Sequence, residues 1–243
     1  MHFQVVPYRQ AFQGGLEALC CETGFLGRPI DRVFKDTRLF SKYLTGYYLS
    51  VEPDLAFVAL DPNGAVIGYI VGSVRRWRYR LYRATRLPGF VAAVLGKIML
   101  GRYDKASLRF CLWLCLKGWR EMPKAPLHGA HFHFNVQGAY RNAGVAKVLL
   151  EQFLKEVAGR GEDVVYGQML TFETRRRAEL YRRLGWEVFD RTTVTKYSTF
   201  LQRRIYLTTI YRSIKERGTK VRLLPRVSAH SLTGFGKEGR LSS

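Results

Sequence analysis

The stretch from Tyr140 to Val157, YRNAGVAKVLLEQFLKEV, constrains the fold more than any other part of the chain. It follows HFHFNV, in which polar and apolar residues alternate as in a half-buried strand, and it continues as an amphipathic helix. Gly144 stands where the helix begins. A strand, a glycine-bearing turn and a helix in this order indicate an α/β structure with a helix N-terminus left open at the turn.

The turn at Gly144 has two interpretations. Glycine lets bare backbone approach a ligand, and the free amides with the positive end of the helix dipole form a cradle for phosphate, to which Arg141 could add charge. The alternative is an ordinary helix start, because short glycine motifs occur often by chance. The rest of the chain has to decide between the two.

The remaining elements predict a mixed sheet. FQVVPY, LAFVAL, AVIGYIVGSV, DVVYGQML and WEVFDRTTVTKY are typical of strands, and the turn DPNG joins the second and third of these as a hairpin. GGLEALCCET and RRRAELYRRLG are typical of helices, the latter ended by Gly185. We therefore expect an α/β (α+β) fold: a mixed, mostly antiparallel sheet flanked by helices, with more strands than helices.

Length and composition fit one globular domain with additions. With 243 residues and 47% hydrophobic content, the chain can bury a sizeable core. We expect one domain over residues 1–200, an insertion at 75–127, and a basic extension at 201–243 that is partly disordered toward its end. No signal peptide is evident, and the four cysteines lack metal-ligand spacing, which predicts reduced thiols in a cytoplasmic protein and no metal site.

The net charge of +21 is concentrated in two segments. Residues 75–120 contain 12 Lys and Arg against one acid, and residues 201–243 contain 10 against two, so these segments carry 19 of the 21 charges. The basic character therefore belongs to the insertion and the extension. Nucleic acid is not the favoured partner, because no helix-turn-helix, zinc-finger or RNA-recognition signature accompanies the charge.

The insertion combines basic, aromatic and apolar runs. RRWRYRLYRATR interleaves arginines with aromatic residues, and GFVAAVLGKIML and SLRFCLWLCLKGW are mainly apolar. Neither apolar run reaches the ~20 residues that cross a bilayer. The runs could be buried against the core, lie peripherally in a membrane interface, or contact an acidic partner such as an acyl carrier protein.

The turn and a second segment resemble one family. The segments NVQGAYRNAGVAKVLL and AELYRRLGWEVFDRTTVTKY, in this order, resemble the GNAT acyltransferase superfamily, whose phosphate loop reads Arg/Gln-x-x-Gly-x-Gly/Ala. The loop positions in this chain are Arg141, Asn142, Ala143, Gly144, Val145 and Ala146. The resemblance covers roughly residues 3–74 and 128–199 and implies the GNAT fold.

The resemblance also implies a ligand and an activity. The loop amides would bind the pyrophosphate of acetyl-CoA or coenzyme A, and Val136 would pair its backbone with the pantetheine arm in a gap before DVVYGQML. The implied reaction is N-acyl transfer, most simply N-acetyl transfer, to the primary amine of a small molecule or peptide. A long-chain or carrier-protein donor and a non-catalytic binding module are the alternatives.

The residues for proton transfer follow from the same resemblance and from strand geometry. Tyr181 occupies the family's tyrosine position and would protonate the leaving thiolate. His131 and His133 alternate on one strand and share a face, so either could be the general base, with Glu173 as the rival.

A looser resemblance concerns the N-terminal third of the chain. CCETGFLGRP and YYLSVEPDLAFVALDPNGAVIGYIVG look similar to bacterial GNAT proteins related to the acetyltransferase-like module of O-GlcNAc hydrolases. This resemblance would place CCETG and the helical segment from Arg32 to Tyr48 over the acceptor site. That module is generally regarded as non-catalytic, which supports the binding-only alternative.

Overall fold

The computed structural model describes residues 2–172 and 181–214. The described helices are α1 (Gln13–Thr23), α2 (Thr37–Val51), α3 (Arg76–Met99), α4 (Lys105–Leu116) and α5 (Val145–Gly159). The strands are β1 (Gln4–Pro7), β2 (Ala56–Leu60), β3 (Val66–Ser73), β4 (Ala130–Val136), β5 (Val164–Thr171), β6 (Glu187–Val194) and β7 (Ile205–Ser213).

The seven strands form one sheet in the order β1-β2-β3-β4-β5-β7-β6. Neighbouring strands are antiparallel except β4 and β5, which are parallel. Strand β3 has seven buried residues in a row from Ile67 to Ser73, as expected for a central strand covered on both faces. The sheet is therefore mixed and mostly antiparallel, with helices on both sides, as predicted.

Each face of the sheet has its own hydrophobic core. Leu16 of α1, Tyr48 of α2 and Tyr69 of β3 belong to the first core, on the face that α1 and α2 cover. Leu149 and Phe153 of α5 belong to the second core, on the opposite face. Alternate residues of a strand point to opposite faces of the sheet. Along β4, every second side chain therefore faces α1 and α2, and the others face α5.

The insertion folds as two helices that pack on α2 through aromatic rings. Tyr79 of α3 contacts the ring of Tyr47 with centroids 5.0 Å apart, and Phe90 contacts Tyr43 at the same separation. Asp36, the N-cap of α2, binds Lys97 and accepts a hydrogen bond from Tyr103 at 2.9 Å. One face of the insertion is therefore buried against the domain.

The C-terminal boundary of the domain requires a correction. We expected the domain to end near residue 200 and the basic extension to follow, but β7 lies inside the sheet, hydrogen-bonded to both β5 and β6. Its residues IYLTTIYRS are mostly β-branched or aromatic, as is typical of a strand, and Ile210 is buried in the second core. The domain therefore extends to residue 213, and the extension begins later than predicted.

Candidate functional site

The loop before α5 exposes backbone amides at the start of a helix. A short 3-10 helix, Gly138–Tyr140, leads to Gly144, which caps α5 in the left-handed conformation with φ 80° and ψ 0°. No side chain caps the helix, and within residues 2–172 and 181–214 no backbone carbonyl accepts from the amides of Gly144, Val145 or Ala146. Three adjacent free amides at the positive end of a helix form a site for an anion.

Gly144 is required by backbone conformation, while the space beside it is open. A β-carbon on Gly144 would meet no atom within 4 Å, so its positive φ is what favours glycine at this position. The open space lies next to the free amides. A phosphate can therefore reach the backbone without displacing any described side chain.

The side chains of the loop divide into anchors and exposed groups. Val145 is fully buried in the second core, and Ala143 and Ala146 pack against the same core. Arg141 and Asn142 are exposed, and the Arg141 guanidinium approaches the Gly27 carbonyl at 3.5 Å. The apolar side chains thus anchor the loop to the second core, while its amides and Arg141 face outward.

Strands β4 and β5 separate beside this loop. They pair at only three positions, the last being Phe132 with Gly167, although β4 continues to Val136 and β5 to Thr171. The Gln137 amide donates to the Ile67 carbonyl at 2.9 Å, so the preceding residue, Val136, directs its backbone groups away from β3 and into the gap. The gap offers a free strand edge to an extended ligand.

His131 and His133 lie on the face of β4 opposite to α5. The His131 Nδ1 atom is 2.8 Å from the Tyr48 hydroxyl oxygen, and the His133 Nε2 atom is 3.1 Å from the Tyr69 hydroxyl oxygen. Asn135 is on the same face and donates to the Tyr69 hydroxyl at 2.9 Å. The two histidines therefore belong to a polar network beneath α1 and α2.

Both histidines are half-buried, and their surroundings favour the neutral imidazole. Burial lowers the pKa of His131 to about 3, an effect that neighbouring His133 and then Arg83 and Arg76 increase. Burial also lowers the pKa of His133 to about 4. A general base works best when its pKa lies near the working pH, so these pKa values argue against either imidazole as the proton acceptor. Both remain suited to hydrogen bonding with a neutral amine.

Tyr181 lies on the other face of the sheet. It packs partly buried against the second core, which also contains Trp186 and Val136. Its carbonyl accepts from the Trp186 amide at 2.8 Å, which closes the turn at Gly185. Tyr181 therefore shares a face with α5 and the loop, whereas Glu173, the rival general base, lies outside the described residues.

The tyrosine partners of the histidines were not foreseen from the sequence. Tyr48 is 83 residues from His131, and Tyr69 is 64 residues from His133. Contacts over such distances leave no local pattern. The one local signal was the set of polar residues that alternate with apolar ones in HFHFNV. Once β4 lies in the middle of a sheet, these polar side chains need hydrogen-bond partners inside the protein.

The described ranges, 2–172 and 181–214, contain no group of three or more His, Cys, Asp or Glu side chains placed to hold a metal ion.

Comparison with known proteins identifies the fold. No protein-family model and no curated protein sequence matches the chain. Among solved structures, that of SsHAT is 25% identical with a TM-score of 0.59, over 89% of this chain and 100% of its own.

Two further solved structures come from named acetyltransferases. An N-acetyltransferase from Staphylococcus aureus Mu50 is 11% identical with a TM-score of 0.50, over 88% of this chain and 100% of its own. A GNAT superfamily phosphinothricin acetyltransferase from Sinorhizobium meliloti, solved in complex with AcCoA, is 15% identical with the same TM-score, over 88% and 89%. The fold of this chain is that of the GNAT superfamily of acetyltransferases.

Proposed function

We propose that the protein is an acyl-CoA-dependent N-acyltransferase, most simply an N-acetyltransferase, that acts on a primary amine. The observation that carries the proposal is the separation of β4 and β5 directly beside the free amides of Gly144, Val145 and Ala146. A helix start alone would bind any small anion. A helix start next to an unpaired strand edge suits a ligand with a pyrophosphate and an amide-bearing arm.

The residues present fit coenzyme A as the acyl carrier. The loop amides and Arg141 would hold the pyrophosphate, and Val136 would pair its backbone with the pantetheine amides. Bound acetyl-CoA supplies a thioester-activated acyl group and a thiol leaving group. A GNAT superfamily relative of the same fold was solved with AcCoA, which supports the same ligand here.

Side chains on the two faces of the sheet have different proposed roles in the reaction. Tyr181, on the face of α5, would donate its phenolic proton to the departing sulfur. The network of His131 and His133, on the face of α1 and α2, would receive and orient the amine. Because these imidazoles are neutral, they add no positive charge that would repel the positive charge developing on the attacking nitrogen.

The general base stays a prediction. The low pKa values of the two histidines favour a route in which the amine loses its proton to water or to another group, and Glu173 is the sequence-based candidate. A small-molecule or peptide amine as the acceptor is likewise a prediction, as is the looser resemblance to the O-GlcNAc hydrolase module.

Thiol release tests the activity and the role of Tyr181 together. We expect purified protein to release free thiol from acetyl-CoA when a suitable primary amine is added. Tyr181→Phe should lower kcat by about 100-fold and leave KM for acetyl-CoA nearly unchanged, since the ring and its packing remain. Tyr8→Phe is the control. Tyr8 directly follows β1 at the edge of the sheet, and loss of its hydroxyl should leave the wild-type rate unchanged.

The outcomes separate the alternatives. Binding of acetyl-CoA without thiol release for any amine would favour a non-catalytic module. Release only from a long-chain or carrier-protein thioester would favour the alternative donor. Equal rates for Tyr181→Phe and wild type would remove Tyr181 as the general acid.

A further inference from the structure

The exposed apolar side chains of this protein are concentrated in the insertion. Of the seventeen large hydrophobic side chains exposed in the described ranges, thirteen lie between Trp77 and Leu127. Scattered exposed hydrophobic residues are normal, but a concentration of this kind marks an interaction surface. This surface is separate from the proposed donor site, because neither the loop before α5 nor the gap between β4 and β5 belongs to it.

Six large hydrophobic side chains of α3 are exposed, and five of them form one stripe: Trp77, Leu81, Val91, Leu95 and Met99. The sixth, Leu87, lies outside the stripe. Trp77 and Leu81 are four residues apart, and Val91, Leu95 and Met99 follow one another at the same interval. With 3.6 residues per turn, these positions fall on one side of the helix. The opposite side carries Tyr82, Phe90 and Val94, which pack against the first core. The helix thus has two apolar sides, and only one of them is covered by the domain.

Helix α4 has a second exposed row. Leu108, Leu112 and Leu116 follow at intervals of four residues and are 39%, 58% and 58% exposed. Phe110 and Cys111 of the same helix are buried in the first core. Trp119, just after α4, is 68% exposed. Both helices of the insertion therefore direct leucines to solvent.

Nearly all the charges in the segment that contains these rows are positive. Residues 75–120 carry 12 Lys and Arg, and Asp104 is their one acid. Asp104 is occupied as the N-cap of α4, where it accepts from the Ser107 amide at 2.9 Å. Arg78 and Arg80 are exposed near the Trp77 end of the stripe. The surface thus presents apolar side chains bordered by cations.

This combination selects one kind of partner. A second copy of the chain would bring two strongly positive surfaces together, which repel each other. Nucleic acid or a purely acidic protein surface would match the charge and leave the leucines without apolar contact. An anionic bilayer satisfies both requirements, because headgroups meet the arginines and lysines while leucine and tryptophan side chains enter the acyl boundary.

The helices do not meet the requirements for crossing a bilayer. In the part of the chain that the structure covers, no helix is long and apolar enough to span a membrane. Helix α3 has 24 residues, and arginines occupy its first part. We propose that the exposed faces of α3 and α4 dock the protein on the surface of an anionic membrane, with the helices in the interface.

Vesicle sedimentation with charge-matched variants tests the proposal. The full chain is mixed with vesicles of phosphatidylcholine alone or of phosphatidylcholine with phosphatidylglycerol. We expect it to pellet with the anionic vesicles and to do so less at high salt. Leu95→Glu should weaken binding by roughly tenfold or more, because a side chain that enters the apolar boundary becomes charged.

Val188→Glu is the matched control. Val188 is 40% exposed on β6, outside the insertion, and the substitution changes the net charge by the same amount as Leu95→Glu. It should bind vesicles like the wild type. Thermal unfolding checks that both variants fold, which we expect because both positions are exposed.

Three results would overturn the proposal. One is failure to pellet with anionic vesicles at low salt, as expected if the partner is an acidic protein. Another is equal binding by Leu95→Glu and Val188→Glu, which would assign binding to charge elsewhere, such as the basic residues after 213. The last is a dimer by sedimentation that Leu95→Glu dissociates, which would make a second copy the occupant. None of these depends on whether the protein transfers acyl groups.

Discussion

At the scale of single residues, the most informative feature is the pair of neutral histidines on β4. Each has a tyrosine hydroxyl within hydrogen-bonding distance, and burial holds the pKa of each well below the ordinary histidine value of 6.5. That His131 and His133 share a face could be predicted from their spacing. Their pKa values could not, because burial and the tyrosine partners come from distant parts of the chain.

These pKa shifts predict a specific sensitivity to acid. In the unfolded chain the histidines bind protons below pH about 6.5, whereas the folded protein takes them up only near pH 3 to 4, so stability is full above pH 6.5 and falls as the pH decreases. We expect wild type to lose more free energy of unfolding between about pH 7 and about pH 5 than a His131→Asn, His133→Asn double variant. Urea unfolding at both pH values measures this difference.

His128→Asn supplies the control for that experiment. His128 is an exposed histidine just before β4, and its replacement removes one histidine while leaving the network of His131 and His133 in place. If the double variant shows the same loss as wild type, the two histidines are not buried in their neutral form.

At the scale of elements, most of the fold was predictable because its signals are local. The alternation of HFHFNV and the helical period after Gly144 correspond to β4 and α5. Strand β7 was missed because it lies in a basic segment, with Arg203 and Arg204 before it and Arg212 within it, although IYLTTIYRS is rich in β-branched and aromatic residues. The strands that pair with β7 are β5 and β6, which are distinct segments of the sequence, so local composition could not reveal the pairing.

The close contact between α5 and the sheet requires a glycine at position 72. A β-carbon on Gly72 of β3 would lie 2.3 Å from the ring of Phe153, which is fully buried. Gly72→Ala should therefore lower the free energy of unfolding by about 1–3 kcal/mol through overpacking. Urea denaturation measures the change.

Gly96→Ala is the corresponding control. Gly96 lies within α3, and a β-carbon there would meet no atom within 4 Å. Alanine at this helix position should stabilise the protein by roughly 0.5–1 kcal/mol. A Gly72→Ala variant as stable as wild type would mean that α5 does not pack on β3 as described.

At the scale of the whole molecule, two surfaces with different chemistry lie on one domain. The loop before α5 and the gap between β4 and β5 form the proposed donor site, and the insertion forms a basic and apolar face. The sequence predicted both features separately, but the burial of one side of the insertion and the exposure of the other follow only from packing on α2.

Binding of acetyl-CoA to two matched glycine variants tests the central claim most directly. Gly144 and Gly161, at the two ends of α5, have φ of 80° and 79°, and a β-carbon on either would meet no atom within 4 Å. Glutamate should strain both backbones alike, but only at Gly144 would it place a side chain and a negative charge in the proposed phosphate site.

Thermal unfolding with and without acetyl-CoA gives the result. At ~100 times its dissociation constant, a ligand that binds only the folded state adds about 2.7 kcal/mol of stability. The account predicts this gain for wild type and Gly161→Glu and its loss for Gly144→Glu. No gain for wild type with acetyl-CoA or coenzyme A, or an equal gain for both variants, would contradict it.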